Sequence, residues 1–389
     1  MKTQKRFGPL HLLLAALAGA AVAVAAVALA GWLLLGQWGL SVLEGVALVN
    51  TQFVGEFDGD EAADGALTGM VAALGDRWSY YLTAENYESQ VERRANSFVG
   101  IGVTVTPEED GARILSVEDG GPAQAAGLVP GEVITAADGQ SLAGGAAESA
   151  ADLIRGEEGT QVTLTVLGTD GTRREVTLTR ATIQQKSVTW EMLDGQIALI
   201  TVKNFYSNCA QQGRQALEEA QQKGARAVIF DMRNDPGGYI TELTDFLDAI
   251  LPEGIIFRTS GRSGGETTVE SDAQCVDLPM AVLVNEDSYS AAEFFAAQLQ
   301  EDGWAVIVGS PTSGKGYSQL TFPILHGGAL ALSTQTYRTG DGVSLIGTGL
   351  TLDVRVDLSE EDAALLSAGA LPHEEDEQLQ AAIAALDLS

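Results

Sequence analysis

The sequence predicts a multidomain protein in which a β-rich domain and an α/β core follow an N-terminal transmembrane helix. Three patterns predict this class: an unbroken apolar run near the N-terminus, short β-runs separated by glycine turns up to residue 182, and alternating strands and helices after residue 187. A chain of 389 residues is long enough for two or three domains with cores of their own.

The chain is acidic, with 53 Asp and Glu against 22 Lys and Arg and a formal net charge of −31. Nucleic-acid phosphates are bound by clustered Lys and Arg, so this charge balance excludes nucleic acid as a partner. Two cysteines exclude a disulfide framework and a four-thiolate metal site. The sequence leaves open whether Cys209 and Cys275 pair or remain free buried thiols.

The N-terminal apolar run, Leu12–Leu35, has 24 positions without a charged or polar side chain. As a helix it is long enough to cross a hydrocarbon layer of about 30 Å. Because Lys2, Lys5 and Arg6 precede it, residues 1–40 are expected to be a cytoplasmic stub and signal anchor. The expected protein is single-pass in the cell membrane, with its body outside the cytoplasm. A cleaved signal peptide is the alternative, but its apolar core usually has only about 7–15 residues.

Residues 41–96 and 97–182 differ in their apolar periodicity. The first range repeats at helical spacing and predicts a small helical segment. The second predicts a β-rich domain with two short helices, Pro122–Leu128 and Ala147–Ile154. Its predicted strands are Ile101–Val105, Arg113–Val117, Val133–Ala136, Val162–Leu167 and Glu175–Thr179.

Residues 183–358 alternate between strands and helices, which predicts an α/β domain with a largely parallel sheet. The remaining residues, 359–389, end in an amphipathic stretch that predicts a terminal helix over Glu374–Leu386. The predicted strands are Gln196–Val202, Ala227–Met232, Pro279–Asn285, Ala305–Gly309 and Ala329–Thr336, and the predicted helices are Asn208–Lys223, Ile240–Ile250 and Ala291–Gln300.

A glycine-rich block in the β-rich region, Gly121–Ile134, resembles the signature of a PDZ domain through its Gly-Pro-Ala, Ala-Gly-Leu and Gly-Glu-Val-Ile segments. PDZ domains bind C-terminal tails by strand addition and hold the terminal carboxylate on backbone N–H groups. The resemblance implies that Val99-Gly100-Ile101-Gly102 is the carboxylate-binding loop.

Ser290 follows an apolar strand and precedes an apolar helix. A hydroxyl at a helix N-terminus meets partial positive charge, which favours a developing alkoxide. The alternative is that Ser288 or Ser290 is a simple N-cap.

Lys315 lies in Gly309–Gly316, which spells G-x-x-x-x-G-K as in a phosphate-binding loop. Gly316 replaces the required Ser or Thr, and Tyr317–Phe322 has the pattern of a strand, so nucleotide binding is rejected. A lysine between two strands is better interpreted as a cleft residue. If it is desolvated, its amine becomes neutral more easily and can act as a base.

Another motif, Gly261–Gly265, matches the G-x-S-x-G nucleophile elbow. That elbow requires a strand before it and a helix after it. Here strands flank it on both sides, Ile255–Thr259 and Thr267–Glu270, so it is predicted to be a hairpin tip.

Asp231–Gly238 follows a buried strand. Its two carboxylates have no partner ligands nearby in sequence, so pairing between Arg and Asp is favoured over a metal. The Pro-Gly-Gly turn exposes backbone N–H groups of the kind that bind an oxyanion.

These pieces together resemble the C-terminal processing peptidases, the tail-specific serine proteases of peptidase family S41. Lys315 follows Ser290 by 25 residues, and Gln319 follows Lys315 by four, as in the family pattern. Two positions depart from it: Ala292 replaces a common second serine, and Asp235 replaces the usual asparagine of Asn-Pro-Gly-Gly. The carboxylate of Asp235 is expected to bring negative charge near the oxyanion donors.

The resemblance implies a Ser-Lys mechanism. Neutral Lys315 takes the proton from Ser290, which attacks a peptide carbonyl and forms an acyl-enzyme. Gln319 is expected to orient the lysine amine. Backbone N–H groups of Ala291 and of Gly237-Gly238 are expected to hold the oxyanion.

The expected protein is therefore a membrane-anchored serine endopeptidase that cleaves proteins near their C-termini, with the PDZ domain recognising apolar tails. No metal or organic cofactor is implied, and a homo-oligomer is left open. The alternative is a catalytically silent PDZ scaffold that binds tails without cutting them. A small-ligand carrier on the same fold has no supporting feature.

Overall fold

The computed structural model describes residues 9–144, 149–325 and 327–386. The chain divides into two compact units, one ending at Gly65 and one beginning at Ala66. The start of the predicted helix at Ala147 and the basic residues before the apolar run lie outside the described residues.

The helices are α1 (Pro9–Gln52), α2 (Gly59–Ala72), α3 (Ala84–Arg94), α4 (Pro122–Ala125), α5 (Ala150–Ile154), α6 (Cys209–Gln222), α7 (Ile240–Asp248), α8 (Ala291–Glu301), α9 (Glu360–Ser367) and α10 (Glu377–Ala385). The strands are β1 (Tyr80–Leu82), β2 (Ser97–Gly100), β3 (Val103–Glu108), β4 (Gly111–Val117), β5 (Val133–Ala137), β6 (Gln140–Ser141), β7 (Gln161–Leu167), β8 (Arg173–Thr179), β9 (Ala181–Gln184), β10 (Val188–Leu193), β11 (Ile197–Val202), β12 (Ala227–Asp231), β13 (Gly254–Gly261), β14 (Glu266–Ser271), β15 (Met280–Val284), β16 (Ala305–Gly309), β17 (Tyr317–Pro323), β18 (Ala329–Arg338) and β19 (Val354–Arg355).

The first unit contains α1, which is interrupted at Gly36, where φ is +62°. The part of this helix from Leu17 to Gln52 is long and apolar enough to cross a membrane. A signal sequence near an N-terminus meets the same criterion. The structure therefore agrees with the predicted apolar helix.

The α/β core is built on a six-stranded sheet in the order β10-β11-β12-β15-β16-β19. Its strand pairs are parallel except β10 with β11, as the alternation of strands and helices predicts. Along β11, Ala198 and Ile200 face the cluster that includes α6, α7 and α8, whereas Ile197 and Leu199 face the cluster that includes α10. Both faces are buried, which explains the continuous apolar strands.

The C-terminal helix α10 is part of the core, with Leu379 and Ala382 fully buried. A buried ion-pair network attaches it to the sheet, because Arg233 contacts Asp231 at 2.7 Å and Asp376 at 2.8 Å. The predicted Arg–Asp pairing at the end of β12 is confirmed. It extends to the C-terminal segment because a buried guanidinium requires further hydrogen-bond acceptors.

A second, antiparallel sheet has the order β1-β18-β13-β14, and β17 also pairs with β18. The prediction of a purely helical segment over 41–96 is wrong at β1, where Tyr80 pairs with Ala331. β1 has only three residues, and its partner β18 is distant in sequence, so local apolar periodicity does not reveal this strand. The hairpin prediction for Gly261–Gly265 is confirmed by the pairing of β13 with β14.

The β-rich domain contains the sheet β3-β4-β5-β7-β8, with β6 pairing on β5. Its core includes Ile114, Ile134 and Leu164. The predicted strand Ile101–Val105 is divided: β2 pairs with β9, and β3 begins only at Val103. Within the described ranges β3 pairs with β4 alone, so its other side is an open edge.

The two cysteines do not pair. Cys209 is a buried free thiol at the start of α6, and Cys275 is an exposed free thiol. Of the two alternatives that the sequence leaves open, the structure has free thiols.

Candidate active site

Ser290 lies at the turn between β15 and α8, with φ of +61° and ψ of −119°. A residue other than glycine is strained in this conformation by about 1–3 kcal/mol. Sharp strand-to-helix turns of this kind present a nucleophilic hydroxyl to an open site. Ser290 lines a cleft of about 680 Å³ that also contains Lys315 and Gln319.

Lys315 lies in the loop between β16 and β17, and its amine is held by two aromatic rings. Nζ is 4.8 Å from the ring centroid of Trp78 and 5.6 Å from that of Tyr289. Ring faces attract a cation while they exclude water from it. The ammonium is therefore poorly solvated at the floor of the cleft.

The pKa of Lys315 is lowered to about 8, mainly because burial penalises the charged form. The cationic side chain of Arg94 lowers the pKa further, whereas the carboxylates of Glu293 and Asp76 raise it. An ordinary lysine has a pKa of about 10.4, so Lys315 is the more effective base near neutral pH.

Tyr337 joins the serine to the lysine loop. Its hydroxyl is 3.1 Å from Ser290 Oγ and 3.0 Å from the backbone oxygen of Lys315. The phenol O–H is the donor in both contacts, so its single proton is shared between Ser290 Oγ and the carbonyl of Lys315. Burial raises the pKa of Tyr337, so the phenol stays protonated and keeps this donor. Within the described ranges, no hydrogen bond joins Lys315 Nζ to Ser290 Oγ.

Glu293 connects the two segments that carry Ser290 and Lys315. Its buried carboxylate accepts from Ser290 N at 3.0 Å and Lys315 N at 3.0 Å through Oε2. Oε1 accepts from Gly314 N at 2.7 Å and Thr312 Oγ1 at 2.6 Å. Four donors thus converge on one side chain, which fixes the lysine loop against the N-terminus of α8.

The Pro-Gly-Gly turn packs directly against the serine. A Cβ on Gly237, whose φ is +78°, would lie 2.8 Å from Ala291 N and 2.9 Å from Ser290 Cβ. The expectation for Gly237 is corrected, because its N–H donates to Asp235 Oδ1 at 2.7 Å. In the part of the chain that the structure describes, the N–H groups of Gly238 and Ala291 have no acceptor.

Burial opposes the negative charge that was expected of Asp235 at this turn. Its side chain is fully buried and its Oδ2 has no hydrogen-bond partner among the described residues. Burial raises the pKa of Asp235 well above its usual range, which favours the neutral acid. A protonated carboxyl offers one acceptor and one donor, as the side chain of asparagine does.

Gln319 lines the cleft but does not contact the amine of Lys315 within the described residues. Its Nε2 donates to Tyr317 O at 3.0 Å and to Ser333 Oγ at 3.3 Å. The register of β17 against β18 shifts between Ser318 and Gln319, and such a bulge changes the direction of a side chain. The expected contact therefore fails for a reason that residue spacing cannot show.

The predicted carboxylate-binding loop Val99–Gly102 covers the end of β2, where Val99 and Gly100 pair with β9, and the two residues before the open edge strand β3. It is held by its carbonyls, since Ile101 O accepts from Ala123 N at 2.8 Å and Gly102 O accepts from Glu118 N at 2.9 Å. The N–H groups of Ile101 and Gly102 have no acceptor within the described ranges. Free backbone donors beside an open strand edge suit a peptide carboxylate.

Three residues that contact Ser290 or Lys315 were not predicted as functional from the sequence: Glu293, Trp78 and Tyr337. Glu293 was predictable, because it follows Ser290 by three residues, which is the spacing of a capping box. Trp78 and Tyr337 reach the site through β1 and β18, whose pairing is long-range.

Two stretches of the chain match models of known protein families. Residues 196–356 match the model of peptidase family S41, and residues 113–168 match the model of a PDZ domain, as the motifs predict.

Among its relatives is a "Probable CtpA-like serine protease" of Staphylococcus aureus (strain COL), which is 32% identical over 327 residues and is matched over 82% of this chain and 65% of its own length. A protein of the same name from Staphylococcus epidermidis is 30% identical over 312 residues, with 79% and 63% covered. The chain thus spans less than two thirds of the length of these relatives. The photosystem II D1 C-terminal processing protease shares the fold, with a TM-score of 0.50, 23% identity and coverage of 88% of this chain and 92% of its own.

Proposed function

We propose that the protein is a membrane-anchored serine endopeptidase that cleaves proteins near their C-termini with Ser290 as nucleophile and Lys315 as base. The observation that carries this proposal is the strained serine in one cleft with a lysine whose pKa is lowered to about 8. Acyl transfer requires a presented nucleophile, a base with a pKa near neutral pH and hydrogen-bond donors for the oxyanion. Ser290, Lys315 and the free backbone N–H groups beside the serine match these three requirements.

The proposed reaction begins when Ser290, whose Oγ accepts from Tyr337, directs its own hydroxyl proton towards neutral Lys315. Nζ accepts the proton while Oγ bonds to the peptide carbonyl carbon, and the resulting oxyanion is held by the N–H groups of Ala291 and Gly238. The C–N bond then breaks, and the lysine ammonium returns the proton to the leaving amine. Water hydrolyses the acyl-enzyme by the same proton route.

The proposed topology places the N-terminus in the cytoplasm and the catalytic body outside it. The length and apolar composition of α1 support a membrane anchor, and the basic residues before it support this orientation.

The PDZ domain is proposed to hold the substrate's C-terminal tail along β3, with the carboxylate on the Val99–Gly102 loop. We expect a free-acid peptide with an apolar last residue to bind the full-length Ser290→Ala variant more tightly than its amidated twin. The lost charge-assisted hydrogen bonds correspond to about 1–3 kcal/mol. The measurement is fluorescence anisotropy in detergent micelles, with a polar last residue as the control. Equal binding of the acid and the amide would make the domain a structural spacer.

The competing function is a silent PDZ scaffold. It is tested by incubating the wild type with an unstructured protein that ends in apolar residues, followed by mass spectrometry of the products. The proposal requires new C-termini in the wild-type sample and none with Ser290→Ala. Intact substrate in both samples, with tail binding retained, would favour the scaffold.

A further inference from the structure

The catalytic cleft is cationic in a chain whose net charge is −31. Its lining includes Arg93, Arg94 and Lys315, and no aspartate or glutamate from the described part of the chain lines it. The carboxylates that act on Lys315, Glu293 and Asp76, do not line the cleft, and low-dielectric walls concentrate the field of the lining cations within it.

The two arginines have no carboxylate partner within residues 9–144, 149–325 and 327–386. By contrast, Arg113, Arg174 and Arg233 each pair with an acid. A chain with 53 carboxylates provides many partners for an exposed guanidinium.

The end of α3 that carries the arginines is fixed in place. Arg94 O accepts from Ser207 N at 3.3 Å and from Ser207 Oγ at 3.2 Å. Its guanidinium carbon lies 5.9 Å from the ring centroid of Tyr239, another residue of the cleft wall. Five donors per arginine, presented beside aromatic walls, match the geometry of a carboxylate.

We propose that Arg93 and Arg94 bind a carboxylate of the peptide substrate inside the catalytic cleft, so that the enzyme prefers an acidic group near the bond it cleaves. This inference rests on the proposed peptidase function. The carboxylate comes either from an Asp or Glu side chain or from the terminus of a short substrate, and the two sources share one chemistry.

The same charge acts on the base. Arg94 lowers the pKa of Lys315, so a substrate carboxylate at Arg94 offsets this effect and raises the pKa. Acidic substrates are therefore expected to bind more tightly and to reach full turnover at higher pH than neutral ones. A purely structural role for the arginines, such as interaction with the C-terminal dipole of α3, does not couple to substrate charge.

The test uses the full-length protein in micelles with short quenched peptides built around a bond that the wild type cleaves in an unstructured protein. Each peptide has Glu or Gln at one position near that bond, and each pair is made with a free and with an amidated C-terminus. We expect about a tenfold to hundredfold higher kcat/KM for the preferred Glu peptide over its Gln twin, mostly through KM. If the C-terminus is the source of the carboxylate, the free-acid peptide has the higher kcat/KM over its amidated counterpart, and an internal Glu has no effect.

Arg94→Gln should remove most of that ratio, raise the apparent pKa of kcat for the Gln peptide and leave the melting temperature nearly unchanged. Arg94→Lys should restore part of the ratio. Arg226→Gln, which removes an exposed cation outside the cleft, should leave it intact. Ratios near one for every Glu–Gln pair and also for every acid–amide pair, or unchanged ratios in Arg94→Gln, would overturn the inference while hydrolysis itself stands.

If no peptide is cleaved, the proposed peptidase function fails. The role of the arginines is then tested by measuring the affinity of the same amidated Glu and Gln peptides for two variants. One variant carries Ser290→Ala alone, and the other carries Ser290→Ala together with Arg94→Gln. A preference for Glu that disappears with Arg94→Gln supports the inference, and equal affinities overturn it.

Discussion

Replacing Ser290 with alanine or Lys315 with methionine is expected to abolish peptide hydrolysis, with kcat/KM falling at least about 10⁴-fold in each variant. The serine supplies the attacking oxygen and the lysine removes its proton, so the two act as one unit. Effects of such a unit are not additive, and the double variant should be no worse than either single one. The measurement is steady-state cleavage of a quenched peptide, with thermal unfolding to show that each variant is folded.

Ser318→Ala is the matched control, because Ser318 lines the same cleft and hydrogen-bonds to Gln335 rather than to the reacting groups. It should retain most of the activity. Substantial hydrolysis by the Lys315 variant would mean that another group is the base.

The second large effect is expected at Glu293. In Glu293→Gln one oxygen becomes an amide NH₂ group that faces two donors, so at least two of the four hydrogen bonds are lost. Buried donors left without partners cost about 1–3 kcal/mol each, and misplaced reacting groups cost about 10²-fold in rate. We expect kcat to fall by about that factor and the melting temperature to drop, both measured on the same preparation.

The matched control is Glu301→Gln at the other end of α8. Glu301 also accepts from a loop, through Thr339 Oγ1 at 2.6 Å and Asp341 N at 2.9 Å, but it contacts neither reacting segment. Glu301→Gln should lower the melting temperature but leave kcat nearly unchanged. Equal loss of kcat in both variants would show that Glu293 only stabilises the helix.

Sequence reasoning could place the functional residues that come directly after a predicted strand. Ser290 had to lie at a strand-to-helix turn, because β15 and α8 are both strongly apolar, and Lys315 had to lie beside it because β15 and β16 are parallel neighbours. Strands of a parallel sheet end at the same edge, so their following loops meet.

Features that depend on long-range strand pairing or on burial could not be predicted in this way. Trp78 contacts Lys315 next to a three-residue strand that pairs about 250 residues away, and nothing near it in sequence indicates this partner. Gln319 points away from the amine beside an irregular register in β17. Asp235 was assigned a charge from its residue type, whereas its complete burial favours the neutral acid.

The central claim, that Lys315 activates Ser290, is tested most directly by labelling the full-length protein with a serine-reactive probe across pH. Below a pKa of about 8 the lysine carries a proton and cannot accept another, so labelling should be slow there and rise to half its maximum near pH 8. Mass spectrometry should locate the adduct on Ser290, and Lys315→Met should lose the pH-dependent rise. An adduct on another residue, an unchanged profile in Lys315→Met, or a midpoint near the ordinary lysine value of about 10.4 would contradict the account.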